Sequence, residues 1–356
     1  MKRLFFLIFT AACATNVFSQ ATNCTQVLRL VRSTYEQGRL HELPSLMEGC
    51  LIGIGAKGFT KADKREAYRY LTLAYIYLEE PEKADESMLK LLDTDHFFQI
   101  NPALDPAEFI ALYNKFRHDP LYSIDLKFGV NASQPAVSQY YNIGSTAAGK
   151  GKYGMGISIQ ILAAFEKSFT KKLKNFVAAP EIGYVVRSFT YANPQLAVAD
   201  QDPNKAISSQ NFAFSQNWLD LNGIALYKFK DTQDLKTYIG GGPGISYLLS
   251  SSNQASTKLG NDFTVTGNAI VDTESYNKLV YSFTVLAGAK IKFADFYVMA
   301  DIRYQYGLKN AINPATRTNS SVGFDYQGQY NDYKMNNLMI NVGVSYPVFK
   351  PKKLIK

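Results

Sequence analysis

Histidine, cysteine and tryptophan are scarce in this sequence, which has three histidines, three cysteines and one tryptophan in 356 residues. His41, His96 and His118 are far apart in the chain, and isolated histidines do not supply the ligand set of a metal site. No histidine follows His118, so the rest of the chain has no Ser-His pair for nucleophilic catalysis. The sequence therefore predicts no metal, no cofactor and no enzymatic activity.

Long apolar runs are also missing. After the N-terminal segment, no stretch approaches the roughly 18 consecutive apolar residues of a transmembrane helix. Residues 1–20 start with Lys2 and Arg3, continue with an apolar run and end in small and polar residues, which is typical of a secretory signal peptide. The alternatives are an ordinary N-terminal helix and a lipoprotein anchored at Cys13; Thr10, where a Leu-like residue belongs, disfavours the second.

Charged residues make up only 19% of the chain, whereas aromatic residues reach 13%, a composition that favours many strands over many helices. The formal net charge is nevertheless +8. An excess of basic residues often indicates that a protein binds nucleic acid, but an exported protein rarely encounters nucleic acid. The positive residues lie at predicted turns, where a membrane protein contacts anionic head groups, so outer-membrane lipid is the expected partner.

Apolar residues recur at helical spacing between residues 21 and 120, which we interpret as a periplasmic helical domain. Its only cysteines, Cys24 and Cys50, predict one disulfide in an oxidising compartment. The segment around residues 60–94 resembles a tetratricopeptide (TPR-like) helix hairpin, with Ala74 and Ala84 where the helices cross. A small helical bundle remains the alternative. These helices are predicted to bind a periplasmic or outer-membrane protein partner, with Tyr68, Tyr75 and Tyr77 as the candidate contact residues.

From residue 121 to residue 349 the apolar period changes to two, and eight strand segments are recognisable. Their connections alternate in length. Short turns occur near Lys171, Thr232 and Ala294, and long polar stretches occur at 133–151, 191–212, 250–276 and 309–332. This alternation is typical of an outer-membrane barrel. The predicted fold is thus α+β multidomain: a small helical bundle followed by an eight-stranded antiparallel transmembrane β-barrel.

The polar face of these strands is charged, and an eight-stranded barrel encloses only enough space for side chains. We therefore predict an internal charge network without a wide pore. Its members are Asp125, Lys127, Glu166, Glu181, Arg187, Asp220, Lys290, Asp301 and Arg303. Aromatic residues near strand ends are predicted to form interfacial girdles: Tyr153, Phe165, Tyr227, Phe229, Tyr281, Tyr304, Tyr306, Tyr346 and Phe349. A soluble β-sandwich or a lipocalin-like barrel, with the apolar face inside, is the alternative.

The final strand, Asn341 to Phe349, has the pattern of a C-terminal barrel assembly signal. The residues that carry it are Asn341, Gly343, Tyr346 and Val348. Residues 350–356 follow as a basic tail, which an even number of strands returns to the periplasm. The glycine-rich segment Ile239 to Gly244 lacks the Lys and Ser/Thr of a phosphate loop, so we interpret it as a site of strand curvature.

The segments "IDLKFGVNAS", "APEIGYVVRSF", "GGPGISYLL" and "DIRYQYGL", within residues 121–349, resemble the PorT-like outer-membrane β-barrel domain family. This resemblance implies an eight-stranded barrel in a family that has members linked to protein secretion or gliding machinery. We therefore expect a non-enzymatic anchor or scaffold subunit of an envelope assembly in the cell outer membrane, with its N-terminal domain in the periplasm. The alternatives are a small-solute channel or transporter and a lipid- or peptide-cleaving enzyme that would use an inward carboxylate such as Asp301 or Glu181.

Overall fold

The computed structural model describes residues 24–55, 58–141, 151–169, 173, 175–193, 207–259, 263–317 and 330–354. The predicted signal peptide, residues 1–20, lies outside them. The chain forms two compact units. The first consists of the described part of Met1–Asp119 together with Phe349–Lys356, and the second is Pro120–Val348.

The first unit is helical. Its helices are α1 (Cys24–Glu36), α2 (Leu43–Ile52), α3 (Lys61–Tyr77), α4 (Pro81–Thr94) and α5 (Ala107–Tyr113), with a short 3₁₀ helix at Leu40–Glu42. α3 begins where the Thr60 hydroxyl accepts a hydrogen bond from the Asp63 N–H at 3.2 Å, the role of an N-cap residue. None of the described helices is long and apolar enough to cross a membrane.

The predicted disulfide is confirmed: Cys24 and Cys50 are bonded, with their Cα atoms 5.7 Å apart, and this bond joins the start of α1 to α2. Around it, Leu28, Val31 and Leu43 are almost fully buried in one apolar cluster. α3 and α4 follow each other as a hairpin in which Ala74 and Ala84 are buried. The first unit therefore has its own core.

The residues after the last strand belong to this helical unit. The Phe349 ring lies 5.2 Å from both the His96 and the Phe97 rings, measured between centroids. The Leu354 N–H donates a hydrogen bond to the Lys115 carbonyl at 2.7 Å. The assignment of Phe349 to the barrel and to its aromatic girdle was therefore wrong, because the chain leaves the sheet at Val348 and the ring packs on helical residues.

The second unit is one antiparallel sheet. Its strands are β1 (Tyr122–Gln139), β2 (Lys152–Ser168), β3 (Phe176–Asn193), β4 (Ile207–Asp231), β5 (Leu235–Leu259), β6 (Thr264–Thr266), β7 (Ile270–Val271), β8 (Leu279–Phe293), β9 (Phe296–Gly307) and β10 (Asp332–Val348). β6 and β7 are short, and within the described residues they pair only with β5. The described sheet thus has ten strands, because the segment predicted as a polar loop at 250–276 also contributes pairing.

The eight long strands close into a ring. Each pairs with the next long strand, and β1 pairs with β10 from Tyr122 opposite Val348 to Gln139 opposite Asp332. Closure of this kind leaves no free edge among the long strands. We call the end where β1 begins and β10 ends the entry end of the barrel, and the opposite one the far end.

Side chains alternate between the two faces along each long strand. The outward residues near the entry end and in the middle are apolar and about half exposed, and we call them the apolar band. On β1 and β10 they include Ile124, Leu126, Phe128, Val130, Leu338, Ile340, Val342, Val344 and Tyr346. Towards the far end the outward face becomes polar, for example at Gln134 and Lys334, which lie on neighbouring β1 and β10.

Tyr153, a predicted girdle residue on β2, points into the barrel interior. The pairing of β2 with β3 shifts between Met155 and Gln160, and Tyr153 beyond this shift packs against Phe189 and Tyr191 of the interior. Such a shift turns the following side chains to the other face. The other girdle residues on the strands, from Phe165 to Tyr346, are at least 39% exposed.

Candidate functional site in the barrel interior

The barrel interior near the entry end holds a dense group of charges, which we call the ionic layer. Its members are Asp125, Lys127, Glu166, Glu181, Lys290, Asp301 and Arg303, and none is more than 4% exposed. They come from β1, β2, β3, β8 and β9, so the ring brings together residues that are far apart in sequence. Buried charges of this kind require partners, and the layer supplies them.

One half of the ionic layer is centred on Arg303. Its guanidinium donates to Glu181 Oε2 at 2.7 Å and to Asp301 Oδ2 at 2.8 Å. Lys127 Nζ donates to Glu181 Oε1 at 2.6 Å, and the Asn341 amide donates to Asp301 Oδ1 at 2.7 Å. The two carboxylates are thus each bound from more than one side, which fixes the positions of all five side chains.

The other half is centred on Lys290. Its ammonium donates to Glu166 Oε1 at 2.6 Å, to Asp125 Oδ2 at 2.8 Å and to Ser345 Oγ at 3.0 Å. These three bonds use all the hydrogens of the ammonium group. Lys228 Nζ lies 3.8 Å from Glu166 Oε2 and completes this half.

The remaining two predicted charges form a separate pair farther along the barrel. Arg187 donates to Asp220 Oδ2 at 2.6 Å and to Gln305 Oε1 at 2.9 Å. The guanidinium also lies 5.0 Å from the centroid of the Trp218 ring. The structure therefore places all nine predicted network residues inside the barrel, seven in one layer and two in another.

Towards the far end the interior is aromatic, which the sequence analysis missed. This aromatic layer contains Tyr153, Phe189, Tyr191, Phe212, Phe214, Trp218, Tyr276, Tyr330 and Tyr333. Phe189 stacks on Phe214 with ring centroids 4.7 Å apart. A signal was present on β4: Phe212, Phe214 and Trp218 are an even number of residues from Asp220 and therefore share its face.

Two of the predicted assembly-signal residues, Asn341 and Gly343, contribute to packing and hydrogen bonding of the barrel. Asn341 is bound in the ionic layer, and Gly343 lies opposite Lys127 on β1. A Cβ atom on Gly343 would lie 2.2 Å from the Leu126 carbonyl oxygen, so only glycine fits there. Tyr346 points outward and is 57% exposed, and Val348 pairs with Tyr122 at closure.

The described interior contains little open space. Its small cavities include one of about 30 Å³ at the entry end and one of about 10 Å³ beside Arg187. Since a water molecule needs about 10–15 Å³, they hold at most a few waters. Among the described residues, no group of three or more His, Cys, Asp or Glu could hold a metal ion.

On the helical unit, the three predicted contact tyrosines differ in exposure. Tyr68 and Tyr75 are half-buried and pack against the apolar cluster around the disulfide. Tyr77 is 49% exposed. Two exposed apolar residues that the sequence analysis did not single out, Ile52 and Ile54, lie at and just beyond the end of α2.

Comparison with known proteins agrees with this architecture. A family model described as outer membrane protein beta-barrel domain matches residues 118–313, more than half of the chain. No curated protein matches the sequence significantly.

Three solved structures illustrate the range of similar barrels. The N-terminal β-barrel domain of Pseudomonas aeruginosa OprF is 12% identical, covers 63% of this chain and 98% of its own, and has a TM-score of 0.26. Ail, the attachment invasion locus protein of Yersinia pestis, is 8% identical over 64% and 99%, with a TM-score of 0.27. Outer membrane protein AlkL is 14% identical over 67% and 92%, with a TM-score of 0.31. At these scores the likenesses carry no functional conclusion.

Proposed function

Because this chain belongs to the outer membrane protein β-barrel domain family, we propose that it is a non-enzymatic anchor or scaffold subunit of an envelope assembly, whose helical unit binds a protein partner. Its barrel is an outer-membrane barrel. The role of the barrel as an anchor, the periplasmic position of the helical unit and the partner are the parts that we infer.

The observation that carries the anchor role is the filled interior. The ionic layer joins opposite walls of the barrel near the entry end, and the aromatic layer occupies the interior towards the far end. A pore for solutes needs a continuous hydrated path, whereas the described cavities hold at most a few waters. The apolar band outside is suited to lipid, since its outward side chains are large and apolar.

Several observations support a periplasmic helical unit. The chain enters and leaves the ring at the same end, because Tyr122 pairs with Val348. The Cys24–Cys50 disulfide requires an oxidising compartment, which the periplasm provides. The N-terminal segment has the composition of a secretory signal peptide.

The partner is proposed to be a protein of the periplasm or outer membrane. The α3–α4 hairpin has the resemblance to tetratricopeptide helices noted above, and such hairpins bind other chains along exposed faces. Tyr77, at the end of α3, is the exposed aromatic residue there. The resemblance of residues 121–349 to PorT-like barrels favours an assembly of the secretion, gliding or outer-membrane biogenesis type.

Two experiments test this function. The purified protein in planar bilayers is expected to give no steady single-channel current, and steady currents would instead support a small-solute channel. In cells, a photo-crosslinking residue at position 77 is expected to capture a defined envelope protein, whereas the same residue at exposed position 48 on α2 is not. Equal capture from both positions, or none from either, would count against the binding role of α3.

A further inference from the structure

The cavity at the entry end has a distinctive lining. Its volume is about 30 Å³, at least twice what one water molecule needs. The described lining includes three lysines, Lys228, Lys236 and Lys290, but only one carboxylate, that of Glu166. The lining itself therefore carries more positive than negative charge, while Asp125 and Asp231, which are not part of the lining, pair with Lys290 and Lys236.

The three lysines are not equally paired. Lys290 uses all three ammonium hydrogens within the ionic layer. The carboxylate nearest to Lys228 is that of Glu166, at 3.8 Å from Nζ, which is longer than a hydrogen bond. Lys228 is only 9% exposed, so its ammonium is largely withdrawn from water while its ion pair lacks a hydrogen bond. A buried ammonium group of this kind is stabilised by an additional hydrogen-bond acceptor.

Neighbouring groups extend the set of donors. Lys236, which lines the cavity, has its Nζ 3.1 Å from Asp231 Oδ1. The hydroxyl-bearing residues Ser123 and Ser168 also line it. Ammonium groups together with hydroxyls form the kind of donor set that binds phosphate-type oxyanions.

The cavity also lies level with residues of the predicted aromatic girdle. On β4, Tyr227 and Phe229 flank Lys228 and point outward, with 39% and 61% exposure. Aromatic residues at strand ends mark the interface between hydrocarbon and head groups. A lipid phosphate at this depth can approach the same cavity as a free anion.

We propose that this cavity binds a phosphate-type oxyanion, with Lys228 as its principal cationic ligand. The anion is either free phosphate or the phosphate of a lipid head group. This property goes beyond the anchor role and does not depend on it, since a channel with the same entry end would also have the site.

The first test uses the full-length protein folded in detergent. Thermal unfolding, followed by the gel shift between folded and unfolded barrel, is measured with sodium phosphate and with sodium chloride at equal ionic strength. Phosphate is expected to raise the midpoint in a saturable manner, because a ligand that binds only the folded state stabilises it. Lys228→Met is expected to weaken this apparent affinity at least tenfold. Lys230→Met, at an exposed position on the same strand, is the matched control and should behave like wild type.

The second test distinguishes the source of the anion. Native mass spectrometry is performed with short-chain phosphatidic acid and with the matching diacylglycerol, which lacks the phosphate. Retention of phosphatidic acid alone by the wild type, lost in Lys228→Met but not in Lys230→Met, indicates a lipid ligand. Saturable stabilisation by inorganic phosphate without lipid retention indicates a free anion.

The proposal is overturned if the wild type shows neither response, a result that needs no variant. It is also overturned if Lys228→Met and Lys230→Met show the same apparent affinity for phosphate. Should Lys228→Met fail to fold, Ser168→Ala and Lys236→Gln replace it, and unchanged phosphate affinity in both would likewise refute the site.

Discussion

Arg303 on β9 and Glu181 on β3 are paired across the full width of the barrel, with Arg303 Nη1 donating to Glu181 Oε2 at 2.7 Å. Their strands are separated by three long strands on one side of the ring and three on the other. The contact thus ties opposite walls to each other, and its loss has consequences for the barrel as a whole.

We expect Arg303→Met to destabilise the barrel by about 3–5 kcal/mol, because it leaves the buried carboxylates of Glu181 and Asp301 short of a partner. The measurement is denaturant unfolding in detergent micelles. Lys167→Met, at an exposed position on β2, is the control and should change little. A loss below about 1 kcal/mol in Arg303→Met would mean that water or Lys127 replaces the guanidinium.

The apolar band provides a second prediction. Val342 is outward and 56% exposed in the middle of the apolar part of β10, so Val342→Lys should destabilise the barrel in lipid vesicles by about 2–4 kcal/mol. Gln134→Lys introduces the same charge on the outward polar face of β1 and should have little effect. Equal effects of the two changes in refolding titrations would argue against lipid contact at Val342.

Removal of the disulfide should affect the helical unit and spare the barrel. The bond closes a sequence separation of 26 residues, so the double change Cys24→Ala with Cys50→Ala is expected to cost the helical unit about 3–4 kcal/mol. Hydrogen exchange in α1 and α2 should accelerate, while the gel shift of the folded barrel persists. Glu48→Ala, an exposed change on α2, serves as the control, and unaltered exchange in the double variant would contradict the prediction.

The segment that follows β10 gives a fourth prediction. Phe349→Ala removes two aromatic contacts, with His96 and Phe97, and should destabilise the helical unit by about 1–3 kcal/mol. Hydrogen exchange of residues 95–98 reports this loss directly. The side chain of Lys352 is exposed, so Lys352→Ala should leave exchange unchanged. If the two variants exchange alike, the ring contacts do not stabilise the unit.

Because of Tyr113, the stability of the helical unit is expected to fall at alkaline pH. Burial raises the pKa of its phenol from an ordinary value near 10 to about 12, and the hydroxyl donates to the Phe98 carbonyl at 3.0 Å. Between these two pH values the unfolded chain loses the proton while the folded chain keeps it, so the contribution to stability present below pH 10 is lost as the pH rises to about 12. Unfolding midpoints from pH 9 to 12 should fall more steeply in the wild type than in Tyr113→Phe; parallel slopes would refute the assignment.

The charged residues of the interior show which features of the site the sequence predicts and which it does not. Asp301 and Arg303 are two residues apart, so a two-residue period assigns both to one face of β9 without knowledge of the fold. Their partner Glu181 could not be identified in this way. The contact between the Arg303 and Glu181 side chains depends on the number of strands in the ring and on the register of every strand between β9 and β3. No local sequence pattern encodes either of these.

The errors in the sequence analysis also have physical causes. Tyr153 follows a strict alternation along β2, but the pairing shift between Met155 and Gln160 reverses its face. β6 and β7 are only three and two residues long and gain pairing from β5, so their own residues carry little strand signal. In both cases the partner strand, and not the local sequence, decides the outcome.

The place of Phe349–Lys356 in the helical unit makes the barrel an insertion within the sequence of that unit. During synthesis, β10 and Phe349–Lys356 emerge after all the other described strands and helices, so ring closure and completion of the helical unit both await the same stretch of chain. A ribosome that stops before residue 332, or a protease that removes residues 332–356, would leave both units incomplete at once.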